Sequence, residues 1–145
     1  MRSCGILMHI TSLPSPYGIG TFGAEAERFA DWLRSAGQKY WQVLPIGPTG
    51  YGDSPYQPFS SFAGDPLLID LDELAENGYL ARSSVTEADY GADPTFVDYD
   101  KIRGVKMALL KEAFAGFTDD VGYTSFVMDE GDWLEDYALF AALKE

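Results

Sequence analysis

The sequence predicts an α/β fold with parallel strands, and three observations support this assignment. Two nearly continuous apolar segments of strand length occupy residues 4–10 and 40–46. Continuous apolarity, rather than alternation, is typical of strands covered on both faces, as in parallel sheets. A segment with helical periodicity lies between them, so residues 1–46 are predicted to form a strand, a helix and a second, parallel strand.

The first helix is predicted between residues 21 and 37. Its apolar side chains recur at helical spacing, at Phe29, Trp32, Leu33 and Ala36. Thr21 is a candidate N-cap because a hydroxyl can accept from the first free backbone N–H groups. Gly37 is a candidate C′ residue because glycine adopts the left-handed conformation that ends many helices.

The later elements are predicted from shorter signals. Asp65 and Asp70 are expected to cap the turn or helix that follows each of them. The expected elements are a short strand at 67–71, a short helix at 70–78 ended by glycine, an irregular connection at 83–94, and helices at 105–117 and 133–144. Two or three strands of buried character cannot cover themselves, so we expect the chain to be the front part of a larger fold.

Composition excludes several classes of function. The chain has 145 residues and a formal net charge of −13, which repels nucleic acid and anionic membranes but not a neutral ligand. The single cysteine, Cys4, cannot form an internal disulfide. The apolar run at 5–10 is too short for a signal peptide, so a cytoplasmic location is predicted. No metal-ligand or nucleotide-binding motif is present, and we expect neither a metal nor a cofactor.

Residues 47–66 form an unusual loop directly after the second predicted strand. They contain four prolines, four glycines, two tyrosines and two phenylalanines. Long loops without regular structure are usually functional or disordered, and this one is too aromatic for disorder. An aromatic ring can stack on the C–H face of a sugar while nearby polar groups bond its hydroxyls. The loop is therefore predicted to bind a carbohydrate.

Two stretches carry a resemblance to a known family. They read GILMHITSLPSPYGIGTFG and KYWQVLPIGPTGYGDSPYQPFSSFAGDPLLIDL, and the match recurs in WLEDYALFAALK at residues 133–144. They closely resemble the start of the 4-α-glucanotransferases called amylomaltases or disproportionating enzymes, of the α-amylase-like clan. The likeness is dense over residues 5–80 and loose over 81–132.

The resemblance implies the amino-terminal part of a (β/α)₈ TIM barrel with an inserted subdomain. In that interpretation residues 1–46 are the first β/α/β units, and residues 47–145 are a glucan-binding loop and a mostly helical insertion. The family transfers α-1,4-glucan segments between maltodextrins or to glucose by a retaining double displacement, with two carboxyl groups roughly 5–5.5 Å apart. Its catalytic carboxylates come from later strands, so no catalytic residue is assigned here and residues 1–145 alone are expected to be inactive.

Four residues are candidates for binding a maltodextrin. By resemblance, Tyr56 stacks near the sugar at the cleavage point, and Tyr51 belongs to a secondary groove found in some members. Ser54 and Gln57 are placed to bond sugar hydroxyls. The alternatives are that the tyrosines pack the loop and that the polar pair stabilises its turns. Arg103 takes the place of a further groove tyrosine, which argues against stacking there.

Other residues are predicted to be structural. We expect Asp53 to form an Asx turn, His9 to be a hydrogen-bonded histidine in a strand core, Trp41 to be a core residue, and the stripe of helix 133–144 to pack. A non-catalytic maltodextrin-binding module remains the alternative function, and the sequence leaves the oligomeric state open.

Overall fold

The computed structural model describes residues 2–93, 95–118 and 121–144. Strand β1 (Gly5–Leu7) pairs in parallel with strand β2 (Tyr40–Gln42), with Ile6 opposite Trp41. Helix α1 (Ala24–Ser35) connects them. The predicted parallel β/α/β unit is therefore confirmed, although each strand pairs over three residues rather than seven. In the described ranges β1 and β2 pair only with each other, which limits the ladder.

Helix α1 packs its inner face against the β pair and the segment that follows β1. Ala26 and Leu33 are buried, and the Phe29 ring lies edge-on to Trp41 with the ring centroids 4.9 Å apart. Trp32 and Ala36, predicted on the same stripe, are exposed. The core role of Trp41 is confirmed, since its ring is half-buried and its indole N–H donates to the Met8 carbonyl at 2.7 Å.

The sequence predicts the C-terminal end of α1 correctly but not its N-terminal end. Gly37 has a φ of +71° and its N–H donates to the Arg34 carbonyl, so the C′ assignment is confirmed. The N-cap prediction is wrong, because the cap is Gly23 and the buried Thr21 hydroxyl donates to Asp70 at 2.5 Å. Thr21 thus ties the start of α1 to the start of the next helix.

Most of the described chain after residue 66 is helical. Its helices are α2 (Leu71–Glu76), α3 (Arg82–Glu87), α4 (Tyr99–Ala115), α5 (Val121–Asp129) and α6 (Leu134–Lys144). The predicted strand at 67–71 is wrong, since Pro66–Leu68 form a 3₁₀ turn. The prediction of an irregular connection at 83–94 is wrong over residues 83–87, which belong to α3. Pro94 of that segment lies outside the described residues.

Asp65, Asp70 and Asp98 cap the elements that follow them. Asp65 accepts from the Leu67 N–H, and Asp70 accepts from the Glu73 N–H, which confirms both predicted caps. Asp98 accepts from the Lys101 N–H and starts α4 six residues before the predicted helix start. Carboxylates at these positions also interact favourably with the helix dipole.

The buried side chains form three small clusters rather than one core. The first cluster lies between α2, α3 and α4 and contains Tyr17, Leu71, Leu80, Val85, Leu109 and Ala113. The second lies between α1 and the segment after β1 and contains Ile10, Leu13, Ala26 and Leu68. The third lies between α4 and the 3₁₀ turn and contains Ile19, Leu67 and Ile102. Among the helices of the described ranges, none has the length and apolar character needed to cross a membrane.

Lys106 is a fully buried charged residue on α4. Its ammonium group donates to the carbonyls of Leu67 and Ile69, each at 2.7 Å. These bonds join the middle of α4 to the 3₁₀ turn that ends the 47–66 loop. Burial lowers the pKa of Lys106 to about 8, and the nearby Asp70 and Asp65 carboxylates oppose that shift.

Candidate functional site

The loop at residues 47–66 is closed at its base by backbone hydrogen bonds. Thr49 forms an isolated antiparallel bridge with Pro58, and the Phe59 N–H donates to the Pro48 carbonyl at 3.1 Å. The Asp65 N–H donates to the Ile46 carbonyl at 2.8 Å. The loop therefore leaves and rejoins the segment after β2 at one place, at the carboxyl end of the strand.

Two consecutive turns form the tip of the loop. In the first, the Asp53 N–H donates to the Gly50 carbonyl at 3.2 Å, and Gly52 has a φ of +80°. In the second, the Gln57 N–H donates to the Ser54 carbonyl, also at 3.2 Å. Each turn carries one of the two candidate tyrosines at a central position, so the turns determine where the rings project.

The four aromatic side chains of the loop fall into two pairs. Tyr51 is fully exposed and Tyr56 is 70% exposed. Phe59 contacts Phe140 of α6 with ring centroids 6.0 Å apart, and Phe62 stacks on Trp133 at 5.8 Å. Phe59 and Phe62 therefore contact other rings without being buried, since Phe62 is itself 72% exposed, whereas neither tyrosine contacts a ring in the described part of the chain.

Helix α6 supports the loop from behind. The ring of Trp133, just before the helix, contacts Tyr137, which in turn contacts Phe140, and the Lys144 ammonium group lies over the Phe59 ring. The predicted stripe therefore makes ring contacts, although no residue of α6 is buried. Gly50 lies directly under the Phe59 ring, where a Cβ would come within 2.6 Å of a ring carbon, so the close approach requires glycine.

The two polar candidates have different surroundings. The Ser54 hydroxyl lies 3.4 Å from the Tyr56 N–H, which is a long local contact of the kind that stabilises a turn. Gln57 is exposed. Both lie on the same turn as Tyr56, and their binding role stays a prediction.

Asp53 joins the two turns and behaves differently from the prediction. Its carboxylate pairs with Arg103 of α4 and accepts a 3.4 Å hydrogen bond from the Thr49 hydroxyl. The predicted Asx turn is wrong because the residue two positions on, Pro55, has no N–H to donate. Asp53 also has a φ of +51°, in the left-handed region that asparagine and aspartate tolerate.

A cavity of about 170 Å³ lies beneath the loop, between the segments that follow β1 and β2. His9, Thr49, Asp53, Asp65 and Tyr99 are among the residues that line it. The cavity places polar groups from three separate parts of the chain at the carboxyl ends of the two strands. In parallel α/β folds this is the edge at which ligands bind.

His9 is placed differently from the prediction. It follows β1 rather than lying within it, and its buried Nδ1 has no hydrogen-bond partner within the described ranges. Burial lowers the pKa of His9 below its ordinary value of 6.5, and Asp65 opposes the shift. Burial also raises the pKa of Asp65, and the hydrogen bond from the Leu67 N–H and the charge of Arg103 oppose that shift.

Two functional features were missed from the sequence. The Asp53–Arg103 pair joins residues 50 positions apart, and no local pattern indicates such a contact. The burial of Lys106 did leave a signal, because it occupies the apolar stripe of α4 with Ile102, Leu109 and Ala113. The fold and the loop together define an α/β protein with a candidate aromatic binding surface at the carboxyl ends of its strands.

Comparison with known proteins identifies the family. A family model described as 4-alpha-glucanotransferase matches residues 8–145. The 4-alpha-glucanotransferase of Thermus thermophilus is 52% identical over 149 residues, covering 99% of this chain and 29% of the relative. That of Clostridium butyricum is 51% identical over 139 residues, covering 94% of this chain and 28% of the relative.

A solved structure agrees with the sequence comparisons. The amylomaltase from Streptococcus agalactiae in complex with acarbose matches with a TM-score of 0.91 and 42% identity, covering 99% of this chain and 30% of that one. The chain therefore belongs to the 4-alpha-glucanotransferase family. It spans less than a third of the length of the relatives it matches.

Proposed function

We propose that this chain supplies the glucan-binding surface of a 4-α-glucanotransferase. The substrate is an α-1,4-linked maltodextrin, and the acceptor is a second maltodextrin or glucose. The main observation in support of this proposal is that Tyr51 and Tyr56 are exposed on consecutive turns of a loop whose base is closed by hydrogen bonds. Exposed rings on an ordered loop can stack on sugars without a large entropic cost of ordering.

The reaction in this proposal is a retaining double displacement. A carboxylate attacks the anomeric carbon while a carboxylic acid protonates the leaving oxygen, so the glycosidic bond breaks and a covalent glycosyl intermediate forms. The acceptor hydroxyl then attacks the anomeric carbon, its proton goes to the second carboxyl group, which is now ionised, and the first carboxylate is released. In the described chain Asp65 and Asp70 accept backbone N–H bonds as caps and Asp53 pairs with Arg103. We therefore assign no catalytic role to these three carboxylates.

The same proposal covers the organisation of the protein. Residues 1–46 form the first β/α/β units of a (β/α)₈ barrel, and residues 47–145 are the loop and a mostly helical insertion. We also propose a cytoplasmic location. The acidic surface, with its formal net charge of −13, is compatible with a neutral glucan as partner.

The test is a disproportionation assay on the complete protein encoded by the gene. Incubation with maltotriose should release glucose and produce maltodextrins longer than the substrate. Products limited to glucose and maltose would show hydrolysis alone and contradict the transferase assignment. New bonds with the α configuration in the proton NMR spectrum would support retention, and β-linked products would contradict it.

A non-catalytic maltodextrin-binding module is the second candidate, because both exposed tyrosines lie within residues 47–66. It predicts that the complete protein binds maltodextrin in a calorimetric titration and leaves maltotriose unchanged. Formation of longer glucans would reject it.

A further inference from the structure

The orientation of the two exposed tyrosines depends on one residue between them. Tyr51 lies in the turn that Asp53 closes, and Tyr56 lies in the turn that begins at Ser54, the next residue. A change in the backbone direction at Asp53 would therefore rotate one turn, and its ring, relative to the other. The left-handed φ of +51° at this junction is a conformation that most residues avoid.

The side chain of Asp53 is held from outside the loop. The Arg103 guanidinium group of α4 pairs with its carboxylate and also lies 3.4 Å from the Thr49 hydroxyl, which itself donates to Asp53. Thr49 belongs to the bridge at the base of the loop. Arg103 thus contacts both the tip and the base.

Helix α4 provides a rigid support for this contact. One turn after Arg103, Lys106 is fully buried and donates to the Leu67 and Ile69 carbonyls, just past the end of the loop. Two cationic side chains three positions apart on one helix therefore hold the loop tip and its exit. A binding group is held accurately when the residues behind it are themselves fixed.

We propose that Arg103 is a positioning residue that acts through Asp53 to set the relative orientation of Tyr51 and Tyr56 for a bound glucan. Its contribution is geometric, since nothing in the proposal requires the guanidinium group to touch the sugar. The binding role of the tyrosines rests on the proposed function, whereas the anchoring of the loop by Arg103 does not.

The kinetic test uses Arg103→Gln, Asp53→Asn and the double variant in the complete protein, with maltotriose as substrate. Because the pair is partly exposed, each single variant should raise KM about two- to fivefold and leave kcat within about twofold. The double variant should be no worse than either single one, because both remove the same contact. Multiplied effects in the double variant, or an unchanged KM in Arg103→Gln, would overturn the proposal.

Lys101→Gln is the matched control. Lys101 also lies on α4 and pairs with Asp89 at 2.6 Å, but that pair lies outside residues 47–66. It should leave KM unchanged. An equal rise in KM would show that any ion pair on α4 has the same effect, which contradicts a specific role for Arg103.

A second measurement does not depend on activity. Amide hydrogen exchange at Asp53 and Gln57, whose N–H groups close the two turns, should accelerate in Arg103→Gln and in Asp53→Asn. The Gln38 amide, which donates to Leu33 at the end of α1, is the internal control and should keep its wild-type rate. Unchanged exchange in the loop would overturn the proposal, even if Arg103→Gln alters the kinetics.

The two proposals fail in different ways. If the wild-type protein makes no glucan longer than maltotriose, the proposed function fails, and the exchange data still decide whether Arg103 anchors the loop. If the wild type is active but Arg103→Gln matches it in both KM and exchange, the inference alone fails. Should Arg103→Gln not fold, Asp53→Asn and Arg103→Lys provide the same comparison, with partial recovery expected in the lysine variant.

Discussion

The four aromatic residues of the 47–66 loop differ in their contacts, although all of them lie among prolines and glycines. Phe59 contacts Phe140 of α6 and Phe62 stacks on Trp133 just before that helix, whereas Tyr51 and Tyr56 project from the turns. A phenol can bond a sugar hydroxyl as well as stack, whereas a phenyl ring can only pack or stack. The sequence predicted an aromatic surface but did not separate the two pairs.

We predict that Tyr56→Ala lowers kcat/KM for maltotriose in the complete protein. Covering one face of a ring that is already partly covered contributes about 1–1.5 kcal/mol, less than full burial of the side chain, so its loss corresponds to a decrease of about five- to tenfold. Tyr56→Phe keeps the ring and should lose less. Phe114→Ala, which removes an exposed ring from α4, serves as the control outside the loop. A Tyr56→Ala variant with wild-type kcat/KM would contradict stacking at this position.

The burial of Lys106 makes the free energy of unfolding depend on pH. Its pKa is about 8 in the folded chain, against an ordinary value of 10.5. Between these values the unfolded chain binds a proton that the folded lysine has released, so the free energy of unfolding rises with pH. Below pH 8 the full cost of burying the charge is present.

We predict that raising the pH from 8 to 10 stabilises the wild type relative to the Lys106→Met variant, as measured by their free energies of unfolding. By the size of the pKa shift, the change is at most about 3 kcal/mol. Urea denaturation at several pH values measures it, and Lys101→Met controls for loss of a positive charge from the same helix. A difference that stays constant with pH would show that Lys106 does not titrate in this range.

At the scale of elements, local signals predicted helices best where a cap and a stripe coincide. Helix α2 begins directly after its Asp70 cap, and α1 ends at Ser35, two residues before its C′ glycine, Gly37. The apolar run at 67–71 was misassigned because a short apolar run does not distinguish a strand from a turn of helix. Asp65 and Pro66, a cap followed by proline, were the signals that decided its conformation.

Helix α3 was missed because its own sequence offers little. Its six residues include one buried side chain, Val85, which packs in the cluster with α2 and α4. The Arg82 side chain pairs with Asp72 of α2. Helices this short are not stable in isolation, so tertiary packing decides whether they form.

Two glycines on different elements should respond oppositely to alanine. Gly104 lies inside α4 with open space around its Cα, so Gly104→Ala should stabilise the protein by about 0.5–1 kcal/mol. Gly37 also has open space but a φ of +71°, so Gly37→Ala should destabilise it by about 1–2 kcal/mol. Thermal melts of the two variants beside the wild type test both signs. A loss of stability in Gly104→Ala would mean that this face of α4 is covered.

The molecule as a whole exposes apolar groups where its strands lie. Leu7 of β1 is 56% exposed and Tyr40 of β2 is 65% exposed, and Val43 and Ile46 are exposed as well. A two-stranded sheet is marginal by itself in water. The buried side chains lie instead in three small clusters around the helices.

We predict that a protein consisting of residues 1–145 alone is marginally stable at its sheet. Amide exchange should be fast across β1 and β2 and slower in α4, whose residues Ile102 and Leu109 belong to buried clusters. The exposed apolar faces should also bind a hydrophobic dye. A cooperative melt with fully protected strand amides would contradict this expectation.

The sequence by itself determined the α/β class, the parallel strand pair, the caps at Asp65 and Asp70, the glycine that stops α1, the position of the aromatic loop and the family. These depend on periodicity, caps and motifs, which act within a few residues of each other. Only the tertiary structure decided which rings of the loop contact other rings, that Asp53 is held by Arg103 rather than by its own turn, and that Lys106 is buried. These outcomes depend on contacts between residues distant in the chain, such as the 50 positions that separate Asp53 from Arg103, and local propensity does not determine such contacts.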